Sequence, residues 1–156
     1  MSDEALWPFA LEIYARPGVE AALLELQDRH GQCVPYLLWA LWLGAQGREA
    51  DTGRLRAGAA LARSWQDVAV APLRGVRRRL KSPVAAVAAA AQRRLLGRVQ
   101  SLELDAERML LRMLEDASPA QGSAPRGAAA SLAAAIEVWG APAPPALVAE
   151  LARLAA

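Results

Sequence analysis

Between Val34 and Ala45 stand twelve residues without a charge, Val-Pro-Tyr-Leu-Leu-Trp-Ala-Leu-Trp-Leu-Gly-Ala. A helix over this stretch is apolar on every side, so it has no face to offer water and must be enclosed by other helices. It falls well short of the ~20 residues a helix needs to cross a bilayer, so its enclosure has to come from protein. The run from Pro35 onward is therefore the expected hub of the core, closed by Gly44 and Gly47.

The enclosing elements read as helices too. Ala and Leu supply 61 of the 156 residues, against 13 for Val, Ile and Thr, and the latter are the side chains that favour strands. The class is all-α: a single compact bundle of about five to six helices around the central Trp-rich helix. The first helix spans Glu4 to Ala15, with Leu6, Phe9 or Ala10, Leu11 and Ile13 inward. Pro17-Gly18 ends it, and a second helix over Val19–His30 stops at Gly31 in the favoured C′ position.

Asp51 or Thr52 caps a basic helix carrying Leu55, Leu61, Trp65 and Val68 at inward spacing, which Pro72 kinks or restarts. Ser82-Pro83 reads as an N-cap followed by proline at N1, launching a long helix to Glu115. In it Leu95, Val99, Leu102, Ala106, Met109 and Met113 alternate spacings of four and three, a seam through which two copies can associate. This organisation predicts a bundle domain over 1–116, a flexible loop at 117–127 where breakers concentrate, and Ala-rich helices over 128–156. The last two helices, Ala128–Trp139 and Pro145–Leu154, have thin apolar faces and are expected to form a loosely packed tail.

Charge is segregated. Residues 54–98 hold eleven basic side chains and one acid, Asp67, a balance of +10, so the rest of the chain, with seven bases and fifteen acids, stands at −8. Arg74, Arg77, Arg78 and Lys81 form one contiguous stripe at i, i+3, i+4, i+7. Such a stripe either binds an anionic partner or pairs with the acidic helices of its own domain.

No complete catalytic, metal or cofactor pattern accompanies it. His30 precedes Cys33 by three residues, but no third side chain orients them, and the plain reading is a helix-terminal His beside a buried thiol. One His and one Cys cannot make a structural zinc site, and no phosphate-binding glycine loop occurs. Glu103 and Glu107 share a helix face without a second acidic motif opposite. No metal and no cofactor is expected. The lone cysteine and the acidic Met1-Ser2-Asp3-Glu4 point to the cytoplasm.

Several segments together resemble one family. They are Leu6-Trp7-Pro8-Phe9-Ala10-Leu11-Glu12-Ile13-Tyr14-Ala15-Arg16-Pro17-Gly18-Val19-Glu20 with Leu26-Gln27-Asp28, then Leu38-Trp39-x-x-Trp42-Leu43, and Trp65 with Pro72-Leu73-Arg74-x-x-Arg77-Arg78-x-Leu80-Lys81. Leu102-Glu103-Leu104-Asp105-Ala106-Glu107 completes the set. The pattern is similar to the uncharacterised proteobacterial domain-of-unknown-function family twenty-three-ninety over residues 5–115, and the tail beyond Ser118 carries no part of it. The resemblance implies a small helical cytoplasmic protein and brings no catalytic residues with it.

Three functions remain in view. The first is a non-enzymatic interaction or adaptor module that docks an acidic protein partner through Arg74, Arg77, Arg78 and Lys81. The second is a bundle with a pocket beside Trp39, Trp42 and Trp65, binding or enzymatically processing a lipid-like or isoprenoid ligand whose anionic group meets Arg74 or Arg78. The third, nucleic-acid binding, rests on charge alone.

Overall fold

Tyr36, Leu37, Trp39, Ala40, Leu41, Trp42 and Leu43 are each at most 1% exposed, so the run that lacks a polar face has become the axis the other helices cover. A computed structural model describes residues 4–48, 51–120 and 127–156. Its α-helical segments are α1 (Leu6–Tyr14), α2 (Val19–His30), α3 (Val34–Ala45), α4 (Thr52–Trp65), α5 (Ala71–Leu80), α6 (Ala89–Asp116), α7 (Ala128–Trp139) and α8 (Pro145–Leu154). No strand occurs among the described residues. A π-turn over Gln66–Val70 joins α4 to α5, so the described residues make seven rods, slightly more than the sequence suggested.

Local chemistry accounts for most boundaries. Gly18 and Gly31 bracket α2 in the left-handed region at φ 86° and 62°, where L side chains are rarely stable. Asp51 accepts from the Arg54 N–H at 2.8 Å and starts α4. The π-turn explains why Pro72 does not break the rod: Ala71 N–H reaches back five residues to the Gln66 carbonyl, and the widened turn absorbs the donor that proline lacks. The N-terminus of α1 is capped from across the fold, since Glu115 Oε1 accepts from the N–H groups of Ala5 at 2.8 Å and Leu6 at 3.3 Å. On α1 the inward positions are Leu6, Ala10 and Ile13, while Leu11 is 52% exposed, and Val68, expected inward, falls in the π-turn, whose wider winding shifts the helical phase and leaves it 76% exposed.

Two expectations are corrected. Ser82-Pro83 does not open the long helix, which begins at Ala89. The Gln92 amide closes the preceding segment instead: its Nε2 donates to the carbonyls of Leu80 and Ser82, and its Oε1 accepts from Val84 N–H. Ala86 in that turn stands at φ 64°.

Nor is the Ala-rich end loosely packed. Helix α7 lies along α3 and α4, and α8 lies against α7 and α2, with Leu132, Ala135 and Leu151 wholly buried and Trp139 8% exposed. The thin face is what permits this. A Cβ on Gly44 would stand 2.7 Å from the Cα of Ala128, so two small residues let the backbones meet where large side chains would hold them apart. Trp139 then stacks on Tyr36 with ring centroids 5.3 Å apart and donates to the Gly31 carbonyl at 2.8 Å.

Of the segment expected as a loop over 117–127, residues 121–126 lie outside the described residues. Its beginning is anchored: Ser118 Oγ accepts from Trp39 Nε1 and donates to the Leu114 carbonyl, both at 2.8 Å, and Arg48 donates to the Pro119 carbonyl at 2.8 Å.

Candidate interaction surface

Helix α5 carries Leu73, Val76 and Leu80 on one side and its arginines on the other, and buries none of its residues. It packs on α6 and the π-turn, which turns the near flank of its basic stripe toward α6. Arg74 Nε donates to Glu103 Oε1 at 3.0 Å, and its NH2 donates to Glu107 Oε1 at 3.1 Å. Arg77 Nε donates to Glu103 Oε2 at 2.5 Å and its NH2 to Oε1 at 3.4 Å. These are part-buried pairs, with Arg74 13% and Glu103 10% exposed along their side chains. Burial pushes the Glu107 carboxyl above its ordinary range, against the opposing pull of Arg74.

The stripe is therefore divided. Arg74 and Arg77 are occupied by the chain's own carboxylates, whereas Arg78 and Lys81 point away. Arg78 is 62% exposed along its side chain and, among the described residues, forms an ion pair with Asp28 alone, at 3.5 Å, and Lys81 is exposed. Beyond them Arg79, Arg93, Arg94 and Arg98 are also exposed. Among the described residues no carboxylate lies within ion-pair distance of Arg79, Lys81, Arg93, Arg94 or Arg98. The sequence stripe stopped at Lys81. The basic residues at the start of α6 join it because the α5–α6 hairpin folds them alongside, a contact no helical periodicity within one segment can show.

The three tryptophans do not share a pocket. Trp39 and Trp42 are 1% exposed and belong to the core, the latter under the Arg48 guanidinium at 4.5 Å. Trp65 is half-buried, its Nε1 donating to the Ala106 carbonyl at 2.8 Å. A cleft of about 390 Å³ does open beside Arg74 and Arg77, walled by Val34, Pro35 and Leu38 of α3, but none of those tryptophans lines it. Its two arginines already neutralise Glu103 and Glu107, so it presents little uncompensated positive charge to a ligand.

In the seam of α6, Val99 and Ala106 are buried within the fold, whereas Leu95, Leu102 and Met109 are 50–55% exposed. Among the described residues no group of three or more His, Cys, Asp and Glu side chains is placed to hold a metal ion.

Cys33 is wholly buried, and burial pushes its thiol up to about 12, so it is protonated at neutral pH and a poor nucleophile. A thiol-reactive disulfide such as Ellman's reagent should leave the native protein unmodified over minutes and titrate one equivalent in denaturant. Fast stoichiometric reaction of the folded protein would instead show Cys33 to be an accessible, reactive nucleophile.

Fold and surface define a small all-α protein with a basic helical hairpin and, among the described residues, no helix long and apolar enough to cross a membrane. The chain belongs to the family described as "Protein of unknown function (DUF2390)", whose family model matches residues 5–114. Helices α7 and α8 lie beyond that span. No curated protein and no solved structure matches the chain.

Proposed function

We propose that this protein is a non-enzymatic interaction module that docks an acidic partner surface through the exposed part of its α5–α6 hairpin. One observation supports it above the others. No acidic residue stands between Asp67 and Glu103, and Glu103 is occupied by Arg74 and Arg77, which leaves Arg79, Lys81, Arg93, Arg94 and Arg98, beside an exposed Arg78 that meets Asp28 at 3.5 Å, as an outward cationic surface. Charge of one sign held apart from its counter-charge raises the encounter rate with an oppositely charged partner and makes binding salt-dependent. The cytoplasm is the setting of this proposal, where a lone thiol stays reduced.

The test is charge reversal confined to that surface: Arg78→Glu, Lys81→Glu, Arg93→Glu and Arg94→Glu together. Exposed helix charges contribute only tenths of a kcal/mol to stability, so the variant should keep the wild-type circular dichroism and melting temperature. In affinity capture from a native lysate the wild type should retain partners that salt releases, and the variant should retain none of them. Equal capture by both proteins with equal salt dependence would end this reading.

A further inference from the structure

At the tip of the hairpin, between Lys81 and Gln92, lie ten uncharged residues, Ser82 to Ala91, of which all but Ser82 are apolar. Every one is exposed, with Val84 at 45% and Val87 at 48%. A soluble surface has no use for Pro-Val-Ala-Ala-Val-Ala-Ala-Ala-Ala in water, and the ion pairs that hold the base of the hairpin leave the tip uncovered. Basic side chains collar it on both arms of the helical hairpin: Arg78, Arg79 and Lys81 before it, Arg93, Arg94 and Arg98 after it.

We infer that the acidic surface docked by this hairpin is an anionic lipid bilayer, into whose interface the Val84–Val87 tip inserts while the arginine collar meets the headgroups. The inference rests on the proposed interaction reading and names its partner. Its ground is the order of chemistry along the hairpin axis. At 1.5 Å per helical residue, Arg93 and Arg94 stand about 6–8 Å behind the start of α6, and Arg78 about 3 Å before the end of α5. An interfacial apolar element sinks about 5–10 Å into the headgroup boundary, so these guanidinium groups come to rest at the depth of the lipid phosphates. An apolar tip ringed by cations matches a hydrocarbon layer beneath an anionic one.

Nucleic acid matches less well. Single strands are gripped by aromatic platforms and base edges are read by polar side chains, and Ser82–Ala91 offers a single hydroxyl and no aromatic ring.

The protein should sediment with vesicles of phosphatidylcholine containing about one-third phosphatidylglycerol and not with phosphatidylcholine alone, since each cationic side chain near an anionic leaflet adds roughly fivefold to partitioning. Arg93→Ala with Arg94→Ala should lower the partition coefficient at least about tenfold, and Val84→Ser with Val87→Ser at least about fivefold at unchanged charge. The fluorescence added by Val87→Trp, taken as the difference from the wild type, should blue-shift on adding the anionic vesicles. Absence of vesicle binding while salt-sensitive capture of acidic polypeptides or nucleic acid persists overturns the lipid assignment and leaves the interaction reading standing. Vesicle binding indifferent to the Val84 and Val87 changes overturns insertion. Self-association abolished by those same changes, with no vesicle binding, makes a second copy the occupant and overturns the inference as well.

Discussion

Trp39→Ala should destabilise the protein by ~3–5 kcal/mol, the usual cost of deleting a buried large aromatic. Three contacts place this site at the upper end. The ring is 1% exposed and lies against Tyr36 with centroids 5.6 Å apart. Helix α4 crosses directly over it, since a Cβ on Gly58 would stand 2.5 Å from the indole, so the backbone cannot settle into the void without pulling α4 away from its other contacts. The indole N–H donates to Ser118 at 2.8 Å, and that bond fixes the end of α6 to the hub. A small domain is stable by only about 5–15 kcal/mol, so the variant should lose a large part of its urea midpoint. Trp39→Phe, which keeps much of the ring but not the N–H, should cost distinctly less. A loss below ~1 kcal/mol for the alanine variant would show that α3 is not the hub of the core.

That hub was legible because Val34–Ala45 offers no polar side in any rotation, and a pattern with one solution needs no tertiary information. The ends of α2 were legible for a similar reason: glycine at positive φ leaves its mark in the sequence. The contacts that decide packing were not. Gly58 under Trp39, Gly44 against Ala128 and Glu115 on the amides of Ala5 and Leu6 join residues far apart in the chain, and nothing local announces them. The few large residues on the apolar face of α7 understate the close approach that its alanines permit. The Ser82-Pro83 signal lost to the Gln92 side chain, whose hydrogen bonds stabilise a turn in place of a first helical turn.

The basic stripe shows the same limit in the candidate surface. Spacing established that Arg74, Arg77, Arg78 and Lys81 share a flank of α5, but which edge of that flank meets α6 depends on how the hairpin closes. It closes with Arg74 and Arg77 on Glu103, leaving Arg78 and Lys81 outside.

Reversal of the inner pair, Arg74→Glu with Arg77→Glu, should therefore unfold the protein or come close to it, whereas reversal of the outer pair should not. Removing one partner of a buried ion pair costs about 3–5 kcal/mol because the remaining charge is left uncompensated. Here both partners of Glu103 would go, and two further carboxylates would stand beside Glu103 and Glu107 on side chains only 10–26% exposed. Even after allowance for the solvent that reaches the cleft, a loss of at least ~4 kcal/mol follows.

Crowded carboxylates are easier to protonate in the folded state than in the unfolded chain, and burial already raises Glu107 in this direction. A raised folded pKa is a stability contribution present at low pH and lost as pH climbs through the carboxylate range. The deficit of the variant should thus be largest at neutral pH and shrink toward pH about 4, a trend that urea midpoints measured across that range would read directly. Adding Glu103→Arg should restore part of the loss, with a coupling energy that a purely additive account lacks. A variant that keeps the wild-type midpoint at pH 7 would mean that these pairs contribute nothing to the fold, and it would return Arg74 and Arg77 to the surface available to a partner.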